Sequence, residues 1–357
     1  MDYNNVQKEI ITTKEPHVLV ASAAASGKTK TLVGRIQYLL SQGVPPEEIV
    51  AITFTNNAAS VMYERLGYPN GLFIGTIHSY CNYLLRGNSI DTSKIIQEER
   101  FDELFNEIKR NPDCIKHVTH LISDESQDVS AAQFEFYEMI NPDNYMYFYD
   151  VRQELYRWRG SDSEYLIRKE KEDDVVVFHM RQNYRNMPDI LRFAKKFLYR
   201  LGPDYNDDSI SMRETSGTRH LLEITHTPSE AVDTLTFVND QLGKKWGDWF
   251  ILCRTNADIE LFKTLLAKRN IPTDTFKQSE LTNAQIQDRL NADTVKILTV
   301  HSAKGLESPC VLSYNIRAYN DDEAKVCYVS ATRAKDFLIW AKMPSRRKKK
   351  NNIVNWE

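Results

Sequence analysis

Three observations predict an α/β fold with mainly parallel sheets. Short apolar runs alternate with segments of helical periodicity along the chain. The first run, residues 18–21, passes through a small-residue loop into Gly27-Lys28-Thr29 and then a helix face at Leu32, Val33 and Ile36. At 357 residues the chain has room for two ordinary domains, each with a sizeable core.

The first run carries the clearest chemistry. Strand, small-residue loop, Gly-Lys-Thr and helix form the context of a phosphate loop. Backbone N–H groups of the loop and the helix N-terminus would cradle phosphates. Lys28 would neutralise the β/γ oxygens and Thr29 would hold Mg²⁺, with Gly27 and Lys30 on either side. Ser22 stands where this motif has glycine, and Ala25 where glycine would ease a tight turn. Taken alone, the loop also fits an ordinary strand–helix junction. Upstream, Gln7 reads either as a solvated helix residue or as an amide within reach of an adenine edge.

Beyond the phosphate-loop helix, Gly43-Val-Pro-Pro-Glu-Glu marks a turn and a helix start. Residues 49–54 and 71–75 read as strands, followed by helices from Thr55 and Thr76. Residues 87–120 hold no strand, and Phe101, Leu104, Phe105 and Ile108 mark one amphipathic helix face. In residues 121–128 an apolar lead runs straight into acids. Asp124, at a strand end, would hold Mg²⁺ through water, and Glu125 would orient or deprotonate an attacking water; a surface acidic turn is the other reading. A strand at 145–149 delivers Asp150 and then Arg152-Gln-Glu-Leu-Tyr-Arg-Trp-Arg-Gly160.

Residues 175–178 read as the opening of a second unit, with Asn183-Tyr-Arg185 and a helix from about Pro188 behind them. A polar loop spans 201–218. Strands are expected at 221–224, 249–253, 295–300, 310–312 and 337–341, and helices around 231–238, 259–267 and 323–335. Segment 277–293 is polar and short. The basic run 346–350 reads as a solubilising tail or a nonspecific attraction for phosphate.

Composition narrows the classes. Hydrophobic residues at 41% and charged residues at 27% give the balance of a soluble globular protein. No run approaches a membrane span and the first residues do not form a signal peptide, so a cytoplasmic location is expected. Five scattered cysteines lack the C-x-x-C pairing of zinc or redox sites, and the eight histidines suggest no metal cluster. With net charge -3, any DNA contact needs a local groove rather than a basic surface.

The segments ITFTNNAA, GTIHSY, DESQD, QELYRWRG, NYRN, LCRTN, TVHSAKGLE and YVSATRAK, in that order, resemble the superfamily 1 DNA helicases of the UvrD/Rep/PcrA type. The resemblance runs from Gln7 to Lys335. It implies two RecA-like P-loop NTPase domains facing across an ATP cleft, residues 1–176 and 177–357, the latter ending in a tail at 346–357. It assigns nucleotide recognition to Gln7 and Tyr184, the Walker B pair to Asp124 and Glu125, and γ-phosphate sensing to Gln153. Arg185 and Arg333 become the arginines reaching across the cleft, with Glu307 near the sugar and phosphates. Phe54, His78, Trp158 and Arg159 fall along the single-strand path, and His301 joins the DNA-coupling network. A Trp between basic residues suits such a path, since the ring stacks on any base while the charges track phosphate.

The resemblance further implies ATP and Mg²⁺, single-stranded or tailed duplex DNA, 3′ to 5′ stepping and a monomer. Intervals 84–120 and 272–294 are too short for the accessory domains common in such proteins. Translocation is therefore expected rather than processive unwinding, with a partner protein able to supply duplex contact. Asn57, Tyr149 and Glu154 depart from the family pattern, where Lys, Gly and Ser are usual. An ATP-dependent DNA-binding switch is the nearest alternative. A small-molecule kinase would leave the NYR, TRAK and Tyr-Arg-Trp-Arg segments unexplained.

Overall fold

The computed structural model describes residues 2–344 except 216 and 218, so the basic run at 346–350 lies outside the described residues. Six parallel strands form the first sheet: β1 (His17–Ser22), β2 (Ile49–Ile52), β3 (Phe73–Gly75), β4 (His120–Ser123), β5 (Asn144–Tyr149) and β6 (Val176–Met180), in the order β3-β2-β4-β5-β1-β6. A short pair, β7 (Gln182–Asn183) and β8 (Ile210–Ser211), follows. The second sheet holds β9 (Leu221–Thr225), β10 (Trp249–Cys253), β11 (Thr273–Asp274), β12 (Val295–Thr299), β13 (Ser308–Tyr314) and β14 (Ala334–Lys342). Its order is β11-β12-β10-β13-β14-β9, again all parallel.

Continuous apolar runs suit strands covered on both faces. Alternate residues of the first sheet split accordingly. Leu19, Val50, Ile52, Leu121 and Tyr147 pack on one side, and Val18, Val20, Ile49, Ile122 and Phe148 on the other. The second sheet repeats the arrangement, with Trp249, Ile251 and Ile297 on one side and Phe250, Leu252, Leu298 and Trp340 on the other. Both sheets send their strand ends toward loops, which is where parallel α/β sheets place their chemistry.

Several expectations change. The run at 175–178, read as the opening of the second unit, pairs with the first sheet. β6 pairs with β1 from Val18↔Val176 to Ser22↔Met180. It covers the exposed edge of β1, where Phe178 and Met180 join the first sheet's core. The helix read over 323–335 spans Asp321–Ala331, and β14 starts at Ala334. Phe101 precedes the helix Glu103–Arg110 and is exposed, whereas Leu104, Phe105 and Ile108 are buried. The polar segment 277–293 contains a helix, Asn283–Asn291, started by a Thr282/Gln285 capping box. The five cysteines are free and buried. Among the described residues no helix is long and apolar enough to cross a membrane.

Candidate active site and nucleic-acid interface

The phosphate loop leaves the carboxyl end of β1 and turns tightly. Ala25 is left-handed at φ 58° and Gly27 at φ 87°. A side chain at Gly27 would stand 2.8 Å from Gln7 Nε2, so only glycine fits without displacing that amide. Ser22, the departure from glycine, donates to the Tyr149 carbonyl at 2.9 Å and ties β1 to β5. Gln7 is buried; its amide donates to the Ser26 carbonyl at 3.1 Å and accepts from Asn4 N–H at 3.0 Å. Tyr184 reaches the same corner. Its N–H donates to the Ala25 carbonyl at 3.2 Å, and its hydroxyl accepts from Asn4 Nδ2 at 2.9 Å.

Lys28 and Thr29 open the helix Lys28–Ser41 and face the acids at the end of β4. Lys28 Nζ pairs with Glu125 Oε1 at 2.9 Å, and Thr29 Oγ1 donates to Asp124 Oδ2 at 3.3 Å. Glu125 takes a left-handed backbone, φ 52°, which turns its carboxylate back over the loop. Burial and the neighbouring Glu125 charge hold the Asp124 carboxyl above the usual aspartate range. Burial also opposes the Glu125 charge, but Lys28 and Lys304 overcome it and hold that carboxyl below its ordinary value. The pair thus splits into a reluctant and a committed anion.

Lys30 is not part of this centre. Two residues beyond Lys28 turn it about 200° round the helix. Its ammonium lies 4.5 Å from the Tyr3 ring centre and donates to the Asp2 carbonyl at 3.2 Å.

Four cations stand on the facing wall: Lys304 after β12, Arg333 and Lys335 at the start of β14, and Arg185 after β7. Arg333 is buried, and its Nη2 donates to Gln153 Oε1 at 3.1 Å. Burial and Arg185 push its guanidinium down to about 9, with Glu125 and Glu307 pulling back, so it stays charged at neutral pH. Arg185 donates to Glu307 and to the Thr332 carbonyl, the latter at 3.3 Å, and Lys335 Nζ holds the other Glu307 oxygen at 2.6 Å. Lys304 crosses to the first unit. It pairs with Asp128, donates to the Gln153 carbonyl at 3.0 Å and stands 4.0 Å from Glu125. Sequence reasoning did not assign Lys304, although its place between a strand end and Gly305 in HSAKGLE was the visible signal.

An aromatic face lies beside the cleft. Phe54 stacks on Tyr156 with ring centres 4.9 Å apart, Lys304 Nζ lies 5.3 Å from the Tyr156 centre, and His301 approaches Tyr156 at 6.1 Å. Trp158 is 69% exposed, with the Arg159 guanidinium 4.6 Å over its ring. Burial and Arg254 push the His301 ring below its usual pKa. Tyr156 was not foreseen. His78 is not brought to this cluster: its ring packs on Phe105 at 5.3 Å and Phe101 at 5.8 Å, with Asp102 3.7 Å away. Burial on that seam lowers its pKa against the pull of Asp102. Among the described residues no group of three or more His, Cys, Asp and Glu forms a metal cluster.

Family comparison agrees with this layout. The UvrD/REP helicase N-terminal domain matches residues 3–112 and 87–174, and the UvrD-like helicase C-terminal domain matches 178–285 and 275–344. Curated relatives include the ATP-dependent DNA helicase PcrA of Staphylococcus aureus, 25% identical over 75% of this chain and 50% of the relative. The protein of the same name from Staphylococcus epidermidis is 24% identical over the same shares. The chain spans about half the length of these relatives. With both domains matched in order and two parallel-sheet units meeting at a Gly-Lys-Thr loop, the chain belongs to the superfamily 1 UvrD-like helicase family.

Proposed function

We propose that the chain is an ATP-driven translocase on single-stranded DNA that steps 3′ to 5′ and hydrolyses ATP in the cleft between its two sheets. The observation that carries this reading is the 3.1 Å contact of Arg333, a cation of the second unit, with Gln153 of the first, within reach of the Glu125 charge that pairs with Lys28. Two motor domains, the first ending after Met180, would then share one nucleotide.

In this reading Lys28 and Arg333 bind the terminal phosphates and stabilise charge spreading over their oxygens. Arg185 joins them once phosphate replaces Glu307 as its partner. Glu125, released from Lys28, orients and deprotonates the attacking water. Gln7 and Tyr184 hold the base at the corner they share with Asn4. Asp124 and Thr29 fit Mg²⁺, since a buried carboxylate whose charge is disfavoured gains from a cation beside a hydroxyl. When bound, that ion would supply positive charge that offsets the charge developing on the phosphate. Phe54, Tyr156 and Trp158 stack on bases while Arg159 tracks phosphate.

The protein would act as a cytoplasmic monomer on single-stranded or tailed duplex DNA, with an accessory protein supplying duplex contact. The test is ATP hydrolysis with and without single-stranded DNA, beside Lys28→Ala. Hydrolysis should rise with DNA and vanish in the variant; a parent rate indifferent to DNA sinks the motor. A second reading, a DNA-binding switch, draws support from the contacts already joining the units, such as Asn283 Nδ2 donating to the Asn57 carbonyl at 2.7 Å. Strand displacement on 3′- and 5′-tailed duplexes separates the two.

A further inference from the structure

Gln153 is flanked by two charged residues, and both neighbours grip the second unit. Arg152 bonds Asp150 at 2.5 Å and reaches Asp207 at 3.2 Å; Asp207 in turn accepts from the Tyr328 hydroxyl at 2.8 Å. Glu154, 3% exposed, pairs with Lys325, 2% exposed, from 171 residues away. A charge pair this deeply buried is poor value as a stabiliser, because removing both ions from water offsets most of their attraction. Its position suggests another use.

The same Glu154 carboxylate closes the loop that carries the aromatic face. It accepts from Ser161 Oγ at 2.9 Å, Ser163 N–H at 3.3 Å and Ser163 Oγ at 2.9 Å. Between those anchors lie Tyr156, Trp158 and Arg159. Lys325 sits on the helix Asp321–Ala331, which leads through Thr332 into Arg333. Lys325, Tyr328 and Thr332 follow one another at helical spacing on one face. One rigid helix therefore joins the arginine beside the nucleotide site to the carboxylate that fixes the strand loop.

We infer that Glu154 and Lys325 are positioning residues that transmit movement of Arg333 to the Trp158 loop, an inference that rests on the translocase reading. Neither touches nucleotide or strand. Arg333 advancing on a γ-phosphate carries the helix with it, and Lys325 then draws the base of the loop through Glu154. With serine at 154 the loop would have no charge for Lys325 to hold, so this coupling belongs to the present chain.

The test uses E154Q/K325M in the full chain, because Lys325→Met alone would leave Glu154 charged, buried and unpaired. Glutamine keeps its oxygen as acceptor from Ser161 Oγ and Ser163 N–H, and its Nε2 donates to Ser163 Oγ in place of the bond that hydroxyl gave. The expected result is a DNA stimulation of hydrolysis reduced by roughly 5- to 150-fold, the usual span of coupling between sites. The DNA-free rate, the KM for ATP and the half-saturating DNA concentration should stay near parent values. Parent-like stimulation in the double variant overturns the inference, as does a loss matched by equal weakening of DNA binding, which a purely structural role would give. A parent that does not respond to DNA overturns the translocase reading instead.

Discussion

Trp158→Ala offers the sharpest test of the strand-binding face. The side chain is 69% exposed and its neighbour Arg159 already stacks on it, so truncation leaves no cavity and no buried polar group. Stacking of one base on an aromatic ring contributes about 1–3 kcal/mol. At about 1.4 kcal/mol per decade, that is roughly a 5- to 150-fold weaker hold on the strand. The lower half of that range is expected, because the ring gives up its contact with Arg159 when a base arrives, a cation–π interaction of about 0.5–1 kcal/mol at an exposed site. The assay is ATP hydrolysis titrated with an oligonucleotide of mixed sequence. The half-saturating DNA concentration should rise by about tenfold while the rate at saturating DNA moves much less. An unchanged half-saturation point refutes the stacking role and returns Trp158 to an ordinary exposed aromatic.

Three further outcomes follow from the site's geometry. Ala25→Gly relieves a left-handed alanine, which costs about 1–2 kcal/mol; after glycine's own entropy cost the first unit should gain about 0.5–1 kcal/mol in urea unfolding followed by its own tryptophan, Trp158. Arg333→Ala should lower the turnover number by about 10³-fold or more, a larger loss than in nucleotide affinity, read by rapid-quench hydrolysis beside binding of a fluorescent analogue. Mg²⁺-dependent nucleotide binding should weaken on mild acidification. Burial and Glu125 keep Asp124 protonated to a higher pH than an exposed aspartate, and only its ionised form holds the cation. Asp124→Asn should bind more weakly and show no such pH step.

Much of the nucleotide side was legible because its residues are local. Lys28 and Thr29 follow one strand, Asp124 and Glu125 end another, and each strand announces itself as an apolar run. The allegiance of β6 was not legible, since Val-Val-Val-Phe reads the same whichever sheet it joins. Only the β1 edge it covers decides the matter. His78 sits in one of the family-like segments, yet its neighbours Phe105, on a helix some 25 residues on, and Phe101, just before that helix, come from elsewhere, and periodicity says nothing about which seam the helix fills. Glu154 showed only as a mismatch with the family pattern. Its counter-ion lies in the other unit, and no spacing rule links them. Asn57 is alike: as a departure from lysine it reads as a lost phosphate contact. In the structure its amide donates to the Gln278 and Leu281 carbonyls, each at 3.2 Å, joining the units.

Charge balance helps hold the two walls of the cleft together. Lys28 is met by Glu125, Arg185 by Glu307 and Lys304 by Asp128, while Arg333 is met by Gln153 Oε1 and the Val329 and Leu306 carbonyls. A buried ammonium or guanidinium without a partner would cost several kcal/mol, enough to force the units apart. Binding of a triphosphate on the proposed reading is then an exchange of anions, phosphate oxygens taking the places of Glu125 and Glu307. The exchange has a catalytic consequence. In the absence of that exchange Lys28 and Lys304 hold the Glu125 carboxyl below its ordinary value against the opposing effect of burial. On the proposed reading, phosphate drawing Lys28 away would relax part of that hold and raise the basicity of Glu125, so the substrate itself would help to activate the general base.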